Sequence, residues 1–116
     1  MLTSTTTGRE DWRPFRCDVE AEHGHVRVAP QGELDLATIP EMERRLRELR
    51  ECGFDRIVFD LRELRFMDSS GLRLVMRERA AAEADGSTFE LIPGPPGVQR
   101  IFEVACVVDQ LTFVAA

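Results

Sequence analysis

The chain has 116 residues, with 15 basic against 21 acidic side chains, 43% hydrophobic residues and 31% charged. That length fits one domain of roughly 100–150 residues around a single core, and the balance is that of an ordinary globular chain, neither disordered nor membrane-spanning. Every basic side chain is arginine, which excludes a P-loop lysine, a Schiff-base lysine and a lysine general base, and the formal net charge of −6 argues against a phosphate-backbone binder, so a protein partner rather than nucleic acid is expected.

Met1 to Gly8 is rich in Thr and Ser with nothing to bury, and a flexible tail is expected over residues 1–12 ahead of a domain over 13–116. The polar start is unlike a secretory leader, and no apolar run approaches the roughly 18–20 residues of a membrane span; a cytoplasmic protein with no membrane insertion is expected. Phe15 to Glu20 alternates apolar and polar, Glu22-His23-Gly24-His25 supplies a turn, and Val26 to Pro30 alternates again with Val26 and Val28 inward, the signal of a hairpin. From Thr38 the period becomes helical, with Ile39, Met42, Leu46 and Leu49 on one face. Thr38 and Glu41 form a capping-box pattern, Pro40 lies in the first turn where its missing N–H is harmless, and Gly53 closes the helix. Glu41 with Arg45 and Glu43 with Arg47 are i,i+4 pairs in the favourable order, so the charged stripe reads as a solvated face.

Arg56 to Leu61 is a mostly apolar, β-branched run, as in a strand covered on both faces of a parallel sheet. A second helix is expected from Ser69 or Ser70 to about Ala84, with Leu72, Val75, Met76 and Ala80 toward the core, ending before Asp85-Gly86. Thr88 to Ile92 reads as a strand and Pro93 to Gly97 as a turn. Val98, Ile101, Phe102 and Ala105 mark a short third helix, and Gln110 to Val114 a last strand. The order β-β-α-β-α-β-α-β predicts a single α/β domain with a mixed, mostly parallel sheet. In such a sheet the loops after the strands' carboxyl ends gather at one edge, where sites lie. Three loops qualify: Gln31 to Asp35, Arg65 to Gly71, and Pro93 to Pro96. Cys17, Cys52 and Cys106, odd in number and widely spaced, read as buried free thiols. His23 and His25 have no partner ligands at metal spacing, and no metal or cofactor is expected.

Phe66-Met67-Asp68-Ser69-Ser70-Gly71-Leu72, placed after a buried strand and opening a helix, resembles the signature of the STAS family (sulphate transporter and anti-sigma factor antagonist), and more narrowly its anti-sigma factor antagonist branch. The resemblance runs over nearly the whole chain from about Phe15. Gly32-Glu33-Leu34-Asp35 matches the family's early Gly-x-Leu/Ile-Asp element, and Val108-Asp109-Gln110-Leu111 its late Leu-Asp-x-Leu turn. It implies a STAS-like single domain of about five strands and three or four helices, whose Ser69 is phosphorylated by a cognate anti-sigma factor with serine kinase activity. ATP is then used by that kinase. The unphosphorylated form would bind the anti-sigma factor and free sigma, the phosphorylated form would let go, and a phosphoserine phosphatase would reset the serine. The resemblance also implies that Asp35 binds the partner or positions the acceptor serine, and it places a C-terminal helix beyond Ala116, dispensed with in a minimal form or missing from this sequence.

The residue chemistry at the motif agrees. A hydroxyl at a helix N-terminus sits where free backbone N–H groups and the positive end of the dipole tolerate negative charge. Phosphate adds about −1.5 to −2 charges. Introduced into an interface matched to a neutral hydroxyl, it would cost about 3 kcal/mol, already more than a hundredfold in affinity. Ser70 is expected at the partner-binding surface, either as a second capping hydroxyl or as the acceptor itself, and Asp68 either faces the partner or is a turn and cap residue. Gly71 allows close approach by a partner backbone or tight helix packing. Arg73 departs from the small residue many antagonists carry there; with Arg62, Arg65 and Arg77 it is either a cluster that meets an acidic partner or holds the phosphate, or solvated surface. Two other STAS or enzymatic readings stay open: a subunit that binds a transporter or signalling scaffold without phosphorylation, and a serine hydrolase. The latter lacks a histidine near Ser69 and a glycine before it, so no catalytic residues are expected.

Overall fold

The computed structural model describes residues 15–116, and the tail expected over 1–12 lies outside them. Strand β1 (Arg16–Glu22) pairs antiparallel with β2 (His25–Leu34) around a His23-Gly24 turn whose glycine is left-handed, φ 85°. This is the expected hairpin, but β2 continues through Gln31 to Leu34, a stretch the sequence suggests as loop. The extension exists because β2 has two parallel neighbours in succession. Val26 to Val28 pair with β3 (Arg56–Asp60), and Gly32 to Leu34 pair with a short β4 (Leu64–Met67) that periodicity does not reveal. Pro30, which cannot donate to a ladder, sits between the two paired stretches, next to a register shift at Gly32/Glu33. Strand β5 (Thr88–Ile92) flanks β3, giving the order β1-β2-β3-β5 with β4 on the far end of β2.

The pleat divides the sheet into two unlike faces. Val26, Val28, Ile57, Phe59, Phe89 and Leu91 point into the core, where they meet Met42 and Leu46 of α1 (Ile39–Glu51), Leu74 and Val75 of α2 (Ser69–Asp85), and Val98 and Phe102 of α3 (Pro96–Val104). Each such burial is worth about 1.5–3 kcal/mol. The opposite face is laced by ion pairs, Glu20 with Arg27, Arg27 with Asp60 and Arg56 with Glu90. Asp60 is 1% exposed, and its carboxylate accepts from Arg27 Nη1 at 2.8 Å, from Arg62 Nε at 3.0 Å and Nη2 at 2.8 Å, and from the Arg62 backbone N–H at 3.1 Å. Those bonds fix the Leu61 to Glu63 turn that carries the chain from β3 into β4.

Helix α1 buries Ile39, Met42 and Leu46 as expected, and Gly53 closes it in a Schellman arrangement, with Gly53 N–H bonded to the Arg50 carbonyl and Phe54 N–H to that of Leu49. The capping box does not form, because the Thr38 hydroxyl is engaged by the turn before it. The charged stripe is only partly solvated: Glu41 pairs with Arg45 at 3.6 Å, whereas Glu43 reaches Arg77 of α2 instead of Arg47, and Arg50 pairs with the buried Glu78. In α2 the buried stripe is Gly71, Leu74, Val75, Glu78 and Ala82, with Leu72 and Met76 half-buried and Ala80 exposed, a rotation from the expected face set by the close docking of Gly71. Ala105 lies just past α3 and is exposed. No strand forms over Gln110 to Val114. Val108–Gln110 is a 3-10 turn, which uses the first part of the segment and leaves a single parallel bridge, Phe113 to Leu91.

The three thiols differ from the expectation of uniform burial: Cys52 and Cys106 are exposed, each at the end of a helix. Cys17 is half-buried against the core, and burial pushes its thiol up to about 11 over a smaller opposing pull from Arg45. No helix among the described residues is long and apolar enough to cross a membrane.

Candidate functional site

Strands β2 and β4 end side by side. Leu34 pairs with Met67, and the Asp68 N–H donates to the Leu34 carbonyl at 3.3 Å, so the junctions into α1 and α2 share one edge. Each junction opens on an aspartate. Asp35 Oδ1 accepts the N–H groups of Ala37 at 3.0 Å and Thr38 at 3.2 Å, while Thr38 Oγ1 accepts the Asp35 N–H at 3.0 Å and donates to the Glu33 carbonyl at 2.9 Å. Asp68, extended at φ −106° and ψ −169°, caps α2: its Oδ1 accepts from Ser70 N–H at 2.8 Å and from Gly71 N–H at 3.4 Å. Both carboxylates therefore serve the chain's own turns. The Ser70 and Gly71 N–H groups expected to stand free at the start of α2 are already taken.

The two serines have opposite environments. Ser69, first residue of α2, is exposed, whereas Ser70 is buried beneath it. Ser69 can meet another protein's active site without local unfolding, and Ser70 cannot. Gly71 is also buried: a Cβ there would lie 2.4 Å from Met67 Cγ and 3.2 Å from the Leu34 carbonyl oxygen. The expectation that Gly71 and Ser70 meet a partner directly is corrected accordingly, because the helix rests on β4 and β2 at this point. Arg73 lies one turn beyond Ser69 and is exposed.

The guanidinium cluster expected around the motif does not assemble. Arg62 is bound to Asp60, Arg65 faces Glu33 at 3.7 Å, and Arg77 is held by Glu43, which leaves Arg73 without an ion pair among the described residues. In the third edge loop, Gly94 packs on Leu61, where a Cβ would come within 2.8 Å of the carbonyl oxygen, so this loop rests against the end of β3. His25 begins β2, near Glu22 and Arg56, about 30 Å of strand from the edge that carries Ser69, and forms no Ser-His pair with it.

Two apolar side chains at this edge escape the sequence reading. Leu36, between the turn residues Asp35 and Thr38, is 74% exposed, and Phe66, paired to Glu33 in the last rungs of β4, is 48% exposed. Neither belongs to a periodic stripe. Their signal in the sequence is that isolation: Leu36 stands in a polar turn, and Phe66 heads the motif directly after Arg65.

Residues 17–112 match the family described as "Mlab, STAS domain". The chain belongs to the STAS domain family. It is similar to the anti-sigma-B factor antagonist of Staphylococcus aureus (strain NCTC 8325 / PS 47), 31% identical over 78 residues, 67% of this chain and 72% of that one. The fold of this STAS domain is similar to that of an anti-sigma factor antagonist from Mycobacterium paratuberculosis, with a TM-score of 0.76 and 21% identity over 89% of this chain and 87% of the other. It is also similar to the anti-sigma factor antagonist SpoIIAA in its unphosphorylated form, with a TM-score of 0.72 and 22% identity over 86% and 89% of the two chains. The STAS match spans the whole edge described above, from Asp35 through Asp68 and Ser69 to Arg73.

Proposed function

We propose that this STAS domain is a cytoplasmic anti-sigma factor antagonist that works by partner switching. Unphosphorylated, it binds an anti-sigma factor that is also a serine kinase; phosphorylation of Ser69 releases it, and sigma-dependent transcription follows the balance. The observation that carries this reading is the contrast between exposed Ser69 and buried Ser70 on a rigid edge next to exposed Leu36 and Phe66. The kinase moves the γ-phosphoryl of ATP onto Ser69 Oγ, the hydroxyl proton is lost, and ADP leaves; a phosphoserine phosphatase reverses the modification with water. The domain itself is a substrate and a ligand, not an enzyme. Apolar side chains around a neutral hydroxyl suit a desolvated contact, and about two negative charges placed at its centre make that contact unfavourable through repulsion and desolvation.

The test is a pull-down from the native extract with ATP, followed by phosphosite mapping. Recovery of a kinase-like ATPase and a phosphate on Ser69 supports the proposal, with Ser69→Ala binding constitutively and Ser69→Asp binding more than about a hundredfold more weakly. Recovery of transporter or scaffold subunits alone, with no phosphate, overturns it in favour of a STAS domain that binds without a phosphorylation cycle. Unchanged phosphorylation of Ser69→Ala moves the acceptor to Ser70.

A further inference from the structure

We propose that Arg73 is the receiver of the Ser69 phosphate, pairing with it along the first turn of α2 once it forms. The inference rests on the reading of Ser69 as the acceptor and adds what happens to the charge afterwards. A phosphate at the start of a helix ordinarily takes the free N–H groups there. Here the Asp68 carboxylate already accepts from Ser70 and Gly71, at 2.8 and 3.4 Å, and places a negative charge beside the acceptor. The usual anion site is therefore filled by the chain's own anion.

Compensation then falls to a side chain, and among the described residues close in sequence one arrangement supplies it. Ser69 and Arg73 stand at i and i+4 on α2, both exposed, in the acid-before-base order that favours pairing. The other guanidinium groups close in sequence are held elsewhere, by Asp60, Glu33 and Glu43. Arg73 has no carboxylate among the described residues. Its planar fork suits two phosphate oxygens at once. The pair would orient the phosphate along the helix, keeping it away from Asp68 and Asp35. Arg73 itself would be withdrawn from any acidic partner that it meets in the unphosphorylated state, so one modification would alter two features of the binding surface.

The test uses the full chain with phosphoserine incorporated at position 69 during translation, so that no kinase is needed. The second ionisation of the phosphoserine is followed by phosphorus NMR in chains carrying Arg73, Arg73→Gln and Arg73→Lys. Asp35, Asp68 and the Glu33–Arg65 pair are common to all three, so the difference isolates position 73. The expected result is an ionisation about half a pH unit lower with Arg73 than with Gln, roughly threefold in the proton equilibrium, partly restored by Lys and lost in 1 M salt. Equal values for Arg73 and Arg73→Gln overturn the proposal. So does a lower melting temperature of unphosphorylated Arg73→Gln, which would show that Arg73 already has a structural partner. A native extract that never phosphorylates Ser69, together with the expected shift, overturns the kinase reading and with it the regulatory use of the pair, while the Arg73–phosphate contact itself is upheld.

Discussion

At Asp35-Leu36-Ala37-Thr38 and at Asp68-Ser69-Ser70-Gly71, an aspartate follows a parallel-paired strand and accepts N–H groups two and three residues on. The residues that follow differ. The first junction ends on Thr38, whose hydroxyl ties the loop back to Glu33 and Asp35. The second ends on Gly71, whose missing side chain lets the helix settle on Met67 and Leu34. Both turns are tied by their aspartate; the first is then closed by a hydroxyl and the second by close packing of the helix. The consequence is that the second presents its exposed residue, Ser69, at the start of a helix packed closely on a platform of β2 and β4.

That platform should fail first where it is pinned from behind. Asp60 holds the turn into β4, and Asp60→Ala removes a buried charge whose arginine partners keep some solvent, so a loss of about 2–3 kcal/mol is expected in urea unfolding. The effect has a definite pH sign. Burial works to raise the Asp60 carboxyl, but hydrogen bonds from the Arg62 side chain and backbone and from Arg27 outweigh it and hold it below its ordinary 3.8. Its contribution is therefore complete above the unfolded value and is lost as pH falls through the folded one. Asp60→Asn should lose less stability on acidification than the parent, and parallel acid profiles would refute the assignment.

Gly71→Ala comes next, because the added carbon would press on Met67 and on the Leu34 carbonyl. Overpacking against backbone costs about 1–3 kcal/mol. Thr38→Ala, the matching change at the first junction, forfeits hydrogen bonds only and should cost about 1 kcal/mol. If thermal melts ranked the two in reverse, the contrast between a packed and a bonded junction would be wrong. Asp35→Ala and Asp68→Ala should each cost about 1 kcal/mol, the first as lost turn hydrogen bonds and the second as a lost cap. Only the second frees a helix N-terminal N–H, that of Ser70, because Gly71 N–H keeps its bond to the Asp68 carbonyl at 3.1 Å.

The difference between the junctions was half legible in the sequence. Helical period placed α1 and α2 within a residue or two, and alternation placed the hairpin, because both signals are carried by many side chains at once. Strand β4 stayed hidden: its four residues are buried at both ends and exposed between, with no alternation to read, and its existence depends on β2 running past Pro30 to meet it. For the same reason Gln31 to Leu34 reads as a loop. The orientation of α2 was missed because it is set by one glycine contact and by the Arg50–Glu78 pair, neither of which has a periodic trace. At the site the motif named Ser69, but the choice between Ser69 and Ser70 is a matter of which one faces solvent. The dispersal of the arginines was invisible for a related reason, since their carboxylate partners come from other elements.

The smallest expected change in stability separates the junctions most sharply in function. Leu36 is 74% exposed in the first junction, so Leu36→Ser removes little buried area and should leave unfolding within about 0.5 kcal/mol of the parent. If the edge is the partner's docking surface, the same change exchanges an apolar contact for a hydroxyl that must be desolvated, and binding of the unphosphorylated chain to the recovered anti-sigma factor should weaken by about tenfold or more. Phosphorylation of Ser69 should weaken it by a different route, through charge, so its effect should shrink as salt rises while that of Leu36→Ser should not. Should Leu36→Ser bind as the parent does, the contact surface would be confined to the second junction, and the first would be left with a purely structural task.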